Sequence, residues 1–416
     1  MRKLYNLLLM ASTYQARWEL RMAKNILSSK KRLFILGLLL IPIIIGGIAF
    51  ADDLPLILGG KKAYAPAFYS LNIFLVSIAI GLCAGLITGC IGAGGGFVIT
   101  PALMSAGIKG ILAVGTDLFH IFAKAIMGTV VHKKLGNVSV KLAIAFLVGS
   151  FGGVIVGGVL NRVIYEFSPV MSDAFISLIY VFLLGFLGIY ALMDFMKSKK
   201  APVEVSSSSS EQEGKEGLPH KLQKFNLPPM ITFDEDLVPG GKKISFWFVA
   251  ICGAIVGFVA AIMGVGGGFL TFPMFVYVLG VSSFTTVGTD ILQIIFTAGF
   301  ASISQYAIYG YIFYTLAMGM LLGSLLGIQI GALTTKVVKG IYIRGFYATA
   351  ILAGFANRLM ALPGKLGDMK VISINPQTAK LLAEIGNYLF FVIIGIFAFW
   401  VIGKFVGNLN QLREEA

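Results

Sequence analysis

Two glycine clusters at corresponding positions of this chain present backbone groups that are suited to binding a ligand. The first is Gly92-Ala93-Gly94-Gly95-Gly96, the second is Gly264-Val265-Gly266-Gly267-Gly268, and both lie in long apolar stretches. Successive glycines can adopt positive φ and turn several N–H groups toward one point, where a following helix adds its positive dipole end. Such a point suits a small anion. We therefore predict substrate binding by Gly94, Gly95, Gly96, Gly266, Gly267 and Gly268; the alternative is that they only allow close helix packing.

A polar helix face follows each glycine cluster. Asp117, His120 and Lys124 are three and four residues apart, which places them on one face of a helix. The corresponding residues after the second cluster are Asp290, Gln293 and Thr297. Ionisable side chains inside a membrane segment are costly and usually face a pathway. A pathway lined by both faces is therefore expected.

The polar residues divide into two predicted roles. We predict that Lys124 binds the anion with Thr116 and Thr289, the threonines that precede the two aspartates. The predicted coupling-ion residues, which would carry a proton or sodium ion, are Asp117, His120 and Asp290.

Structural alternatives exist for the same residues. Thr116 or Asp117 could cap the start of a helix, because Lys109-Gly110 lies just before them. Lys124 could instead form a salt bridge with Asp117, and a lone buried histidine such as His120 often only makes hydrogen bonds. Asn357-Arg358 ends an apolar segment and is expected to anchor a helix at the membrane interface.

The clusters belong to a longer internal repeat. Gly81 and Gly85 match Gly253 and Gly257 at an offset of 172 residues, and Thr116-Asp117 matches Thr289-Asp290 at 173. Further glycines match at an offset of 174: Gly149, Gly153 and Gly157 correspond to Gly323, Gly327 and Gly331. Such a register indicates duplication. Doubled, glycine-interrupted hydrophobic segments are typical of secondary transporters built from repeats.

Composition indicates the fold class. The chain is 57% hydrophobic and 12% charged, against roughly 25% charged residues in soluble domains. An all-α, polytopic integral membrane protein is therefore predicted, with glycine-broken helices. The formal net charge of +14 does not indicate nucleic-acid binding, because the Lys and Arg residues cluster between apolar segments and in the N-terminal arm.

The apolar segments and the polar stretches between them predict the domain organisation. The first apolar segment ends in a sequence that resembles a signal-peptidase site, but its long basic leader favours an uncleaved span. The predicted divisions are a basic amphipathic interfacial arm (1–32), a first span and outside loop (33–70), transmembrane repeat 1 (71–196), a cytoplasmic polar linker (197–243), transmembrane repeat 2 (244–360), and a loop, final transmembrane helix and tail (361–416).

The distribution of positive charge predicts the orientation. If the short segments after the glycine clusters count as crossings, the Lys-rich linker and the N-terminal arm share the cytoplasmic side, as the positive-inside rule prefers. Five crossings then separate equivalent helices, so the two repeats are predicted to be inverted.

Enzyme chemistry is not indicated. The sequence contains no G-x-S-x-G, Walker A or HExxH motif, and the glycine clusters do not follow strands as a dinucleotide fingerprint would. Three cysteines, Cys83, Cys90 and Cys252, have no metal-ligand spacing. No cofactor and no metal site are predicted, so transport would run on an ion gradient or downhill.

The doubled G-x-G-G-G-F motifs, Pro101 and Pro273 downstream of them, and the two V-G-T-D motifs resemble the sulfite exporter TauE/SafE family of membrane transporters. The resemblance covers about Leu71 to Met360. It implies a secondary transporter of small sulfur-containing or organic anions, such as sulfite or a sulfonate, in the cytoplasmic membrane. The family commonly has a small hydroxyl residue or asparagine at the positions of Asp117 and Asp290, which favours coupling-ion roles here.

The predicted partners are a small anion and the lipid bilayer, and no nucleic-acid partner is predicted. Assembly of the chain into a homo-oligomer is left open. Two alternatives to anion transport remain. The two aspartates are compatible with uptake of a cation or metal, and the basic arm and linker are compatible with a membrane-embedded sensor or scaffold.

Overall fold

The computed structural model describes residues 71–91, 95–134, 139–200, 218–225, 227–234, 241–338 and 340–408. The predicted interfacial arm, the first span, Gly94 and the C-terminal tail lie outside these ranges. The described chain is almost entirely helical, as predicted. Its first-half helices are α1 (Leu71–Ile91), α2 (Gly96–Ser105), α3 (Gly110–Lys134), α4 (Val140–Phe167) and α5 (Pro169–Lys200).

The second half repeats this order. Its helices are α7 (Phe246–Met263), α8 (Gly268–Pro273) continued by a π-helical turn (Met274–Val278), α9 (Ser283–Ala301) continued by a second π-helical turn (Ser302–Ala307), α10 (Tyr314–Val337) and α11 (Gly340–Asp368). A last helix, α12 (Pro376–Gly407), follows. Asn375 caps it by accepting the N–H of Gln377, and Pro376 occupies the first turn, where no N–H is needed.

Six of the described helices are long and apolar enough to cross a membrane: α4, α5, α7, α10, α11 and α12. The two pieces that follow the glycine clusters, α2 and α8 with its π-helical turn, are short, as the sequence predicted. Large apolar side chains such as Phe182, Phe186 and Phe399 are exposed on the outside of the bundle. Exposed phenylalanines of this kind are suited to contact with lipid.

The predicted linker, 197–243, contains ordered structure in its second part. A short helix, α6 (Leu218–Lys224), is followed by the antiparallel strands β1 (Met230–Phe233) and β2 (Lys242–Ser245). Asp234, at the end of β1, accepts the N–H of Ser282 at 2.8 Å and its hydroxyl at 2.7 Å. Ser282 is the residue that caps α9. The linker is therefore attached to the start of a helix that carries part of the predicted site.

The two halves pack through matched glycine contacts. α1 packs along α10, and α4 packs along α7. A side chain on Gly81 would collide with the backbone of Met320, and a side chain on Gly253 would collide with the backbone of Phe146. These contacts correspond to each other when the halves are exchanged, since Gly81 matches Gly253 and Phe146 matches Met320. The same exchange relates contacts further along both interfaces: Gly85 with Ser324 and Gly257 with Ser150, Gly153 with Ala254 and Gly327 with Leu82.

The glycines thus bring helix backbones of different halves into direct contact. Close helix packing is therefore the role of the glycines within α1, α4, α7 and α10 that make these contacts. The predicted inversion of the repeats across a membrane stays a prediction.

Candidate functional site

Both glycine clusters interrupt helices, as predicted. Gly95 precedes α2 with φ of 69°, and Gly267 precedes α8 with φ of 86°. Gly264 and Gly266 also have positive φ, at 81° and 64°. Positive φ is the left-handed region that side chains disfavour, so glycine is required where the chain turns into each short helix.

The two breaks lie against each other. A Cβ built on Gly96 would lie 2.9 Å from the Cα of Val265, in the middle of the second cluster. The same Cβ would lie 2.9 Å from Cδ1 of Ile121, and a Cβ on Gly266 would lie 2.7 Å from Cγ2 of Ile121. Ile121 belongs to α3, between His120 and Lys124. The first polar face therefore flanks the junction of the two breaks.

The structure places all three polar residues of α3 in the interior. Asp117 and His120 are fully buried, and Lys124 is 8% exposed. Oδ2 of Asp117 accepts a hydrogen bond from the Thr100 hydroxyl at 2.9 Å, and Nε2 of His120 lies 2.9 Å from the hydroxyl of Ser324.

One oxygen of Asp117 and one ring nitrogen of His120 face each other without forming a hydrogen bond. Oδ1 of Asp117 and Nδ1 of His120 are 3.8 Å apart, too far for a hydrogen bond. Both atoms are buried, and neither has a hydrogen-bond partner in the described part of the chain. Buried polar groups are normally paired, so this pair is a place for a proton, a water molecule or a small ligand.

Lys124 lies beside the first break. Its ammonium donates to the Thr88 hydroxyl at 3.3 Å. That hydroxyl would lie 2.6 Å from a Cβ on Gly95 and itself donates to the Ala84 carbonyl at 2.8 Å. The lysine charge is thus directed toward the break where an anion site was predicted.

The second polar face is fully connected. Gln293 donates to Oδ1 of Asp290 at 2.8 Å and to the Thr271 hydroxyl at 3.1 Å. The Thr297 hydroxyl donates to Oε1 of Gln293 at 2.9 Å and lies 2.9 Å from that of Ser150. All of these side chains are buried. The two faces therefore differ, because the first leaves two facing atoms unsatisfied and the second does not.

The helix-cap alternative for Thr116 and Asp117 is wrong. α3 begins at Gly110, whose N–H donates to Oδ1 of Asp173 at 2.6 Å. Thr116 and Asp117 therefore lie in the second turn, where no backbone N–H needs a cap. Asp290 likewise lies inside α9, which Ser282 caps.

Thr116 and Thr289 have matched structural partners. The hydroxyl of Thr116 accepts the N–H of Phe313 at 2.9 Å, and that of Thr289 accepts the N–H of Ser139 at 3.0 Å. Phe313 and Ser139 directly precede α10 and α4. Each threonine thus holds the start of a helix that packs against the other half. Contact between substrate and these hydroxyls stays a prediction.

Two buried residues of the described chain were not predicted as parts of a site. The Tyr180 hydroxyl donates at 2.6 Å to the carbonyl of Met263, the last residue before the second break. Arg358 was expected at a membrane interface, but it is 2% exposed, and its neighbour Asn357 is fully buried. Both side chains are buried because α2 and α12 cover this part of α11, and a role at the membrane interface stays a prediction. No local spacing links these partners, which are far apart in the chain.

Comparison with known proteins identifies related membrane transporters. Residues 77–357 match the family model described as sulfite exporter TauE/SafE. The probable membrane transporter protein YunE of Bacillus subtilis is 24% identical over 278 residues, covering 64% of this chain and 90% of the relative. YjnA of the same organism, also named a probable membrane transporter protein, is 24% identical over 61% of this chain and 87% of its own length. No solved structure matches the chain.

Proposed function

Because this chain belongs to the sulfite exporter TauE/SafE family, a family of membrane transporters, we propose that it moves a small sulfur-containing or organic anion, such as sulfite or a sulfonate, across the cytoplasmic membrane. The observation that supports this most directly is the contact between the two glycine breaks, at which Gly96 meets Val265. An anion held there would be reached by residues of both repeats. Relative movement of the repeats would then open the site to either side.

The anion is bound by backbone groups and one cation. First-turn N–H groups of a helix have no acceptor within that helix, so those at Gly96 and Gly268 are available to a ligand. Lys124 adds a positive charge at the first break, and the second break has no charged counterpart because Thr297 takes the equivalent position. The negative charge of the anion is therefore met mainly by the first repeat.

Coupling is assigned to Asp117, His120 and Asp290. Oδ1 of Asp117 and Nδ1 of His120, both buried and without a hydrogen-bond partner in the described part of the chain, are the atoms that would take up the proton. Asp290 is the matching carboxylate of the second repeat, hydrogen-bonded to Gln293. Binding of a proton at either carboxylate would change the charge next to the anion, which is how a gradient can drive movement of the anion.

The direct test is transport of radiolabelled sulfite in inverted membrane vesicles with an imposed proton gradient. Lys124→Gln removes a donor that would make a charge-assisted hydrogen bond, worth about 1.5–3 kcal/mol, so apparent affinity is expected to fall about 10- to 150-fold. The matched control is Lys141→Gln, the same change at an exposed position of α4. Transport at the wild-type level by Lys124→Gln would contradict the site assignment. Transport by the wild-type protein that does not depend on the imposed proton gradient would contradict the proposed coupling.

Orientation is part of the proposal. The basic linker lies on the cytoplasmic side with the N-terminus. A cysteine placed in the linker by Ser208→Cys should react with a membrane-impermeant maleimide in inverted vesicles and not in intact cells. The opposite pattern would reverse the orientation.

A further inference from the structure

A cavity away from the glycine breaks opens at one end of the helix bundle. It has a volume of about 420 Å³ and lies between the end of α2, the end of α11 and the start of α12. Its lining includes Ser105, Arg358, Lys365, Lys380 and Asn387.

Arg358 is a buried cation that no described carboxylate contacts directly, although the charge of Asp173 acts on it from a longer distance. Its side chain is 2% exposed, and no carboxylate of the described residues forms a salt bridge with it. Nε donates to Oδ1 of Asn357 at 2.7 Å, and Nη2 donates to the Ser105 hydroxyl at 2.7 Å and the Pro101 carbonyl at 3.4 Å. Nη1 makes no hydrogen bond to the described part of the chain. A buried charge is costly unless it is paired, so an anion from outside the chain would complete this site.

Asn387 supplies a second donor to the same cavity. Its Oδ1 accepts the Asn357 amide at 2.9 Å, so its own NH₂ group is left to donate. Asn357 thus bonds to both residues and fixes their relative positions. A guanidinium and an amide directed at one space match the oxygens of a carboxylate, sulfonate or sulfate.

The charges around the cavity favour the same ligand. Lys365 is paired with Asp173 at 3.1 Å, while Lys380 is largely exposed and 3.9 Å from Glu384. The cavity lining also includes the acidic residue Asp368, whose side chain is exposed. With Arg358 unpaired at the buried end, the interior of the cavity is positive.

We propose that this cavity is a second binding site, for an oxyanion group, placed at the end of the bundle opposite the linker. Asp173, which holds Lys365 at the cavity, is the fifth residue of α5, and the linker follows the last turn of that helix. α5 has 32 residues, about 48 Å at the usual rise of 1.5 Å per residue. Given the proposed cytoplasmic linker, the cavity faces the outer side; this orientation alone rests on the proposed function.

The test is binding of ³⁵S-sulfate and competing methanesulfonate to the purified full-length chain in phosphatidylcholine nanodiscs. Asn387→Asp replaces a donor with a carboxylate of similar size beside Arg358. Sulfate affinity at this site is expected to fall at least about tenfold. The melting temperature should hold or rise, because the new carboxylate pairs with the guanidinium. Asn408→Asp, the same change at the residue that follows the last turn of α12, far from the cavity lining, is the control and should bind like wild type.

Two further arms separate the sources of binding. In the Lys124→Gln background, binding that stays sensitive to Asn387→Asp supports the second site whether or not the central site binds anions. Phosphatidylglycerol is then added to the nanodiscs. If it displaces sulfate, the oxyanion that the site binds is a lipid headgroup; if it does not, the ligand is a free anion. Lys380 is exposed, so the substitution Lys380→Glu should leave folding intact. It should weaken sulfate binding severalfold. Unchanged sulfate binding in both Asn387→Asp and Lys380→Glu would overturn the proposal.

Discussion

Substitution of alanine for Gly96 tests whether the contact between the two glycine breaks is essential. The new Cβ would lie 2.9 Å from the Cα of Val265 and 3.4 Å from Oδ2 of Asp117. Carbon atoms pack at about 3.5–4.0 Å, so the breaks would have to separate by about 0.6–1.1 Å. Val265 presents backbone, which cannot rotate away. Because Gly96 does not have positive φ, the effect comes from this collision and not from strain in its own backbone.

Gly268→Ala is the matched control in the second repeat. Its Cβ would lie 2.8 Å from Cδ1 of Ile294, the flexible end of a side chain, and 3.6 Å from Oδ2 of Asp290. Ile294 can turn away, so a destabilisation of about 1 kcal/mol or less is expected, at the low end of the cost of overpacking. Overpacking against rigid backbone costs about 1–3 kcal/mol, which is expected for Gly96→Ala.

The assay combines sulfite transport in vesicles with thermal unfolding of the purified protein. Gly96→Ala should slow transport at least about tenfold, as a loss of 1.4 kcal/mol implies, and Gly268→Ala should transport like wild type. Equal effects of the two substitutions would refute the reasoning, because the asymmetry comes only from what each Cβ meets. Wild-type transport by Gly96→Ala would show that the breaks need not touch.

Further predictions follow from single hydrogen bonds. Thr116→Val should destabilise the protein by about 1–3 kcal/mol, because it removes the hydroxyl that accepts the N–H of Phe313. Thermal unfolding measures this, and a loss of sulfite affinity without a loss of stability would instead favour a direct substrate contact. Asp117→Asn should abolish proton-driven accumulation while sulfite exchange at equal concentrations continues, and accumulation at the wild-type level would exclude Asp117 as a coupling residue. Asp234→Ala should destabilise by about 1.5–3 kcal/mol through its two bonds to Ser282, which an unchanged melting temperature would contradict.

The sequence predicted the fold well where the signal was local and repeated. The short helix beginning at Gly96 and its counterpart at Gly268 follow from consecutive glycines inside apolar segments. The polar face of α3 follows from the helical spacing of Asp117 and Lys124.

Features formed by residues far apart in the chain could not be predicted from the sequence. The bond from the N–H of Phe313 to Thr116 joins residues in different repeats, and no spacing rule connects them. Arg358 looked like an interface residue because it ends an apolar segment. It is buried because Ser105 of α2 and Asn387 of α12 close over it, and a single sequence gives no sign of this.

The matched glycine contacts determine the order in which the bundle can be completed. Among the described helices, α1 makes its most extensive contact with α10 and α4 with α7, so neither half can finish its packing alone. During synthesis the first half must keep two glycine-lined grooves covered by lipid until the second half is inserted. Lipid tails are as apolar as the helices, so moving a helix surface from lipid to a helix contact gains little hydrophobic free energy. Assembly therefore depends on how closely the helix backbones pack. The two halves, produced as separate chains, should each be short-lived and should survive together only when co-expressed.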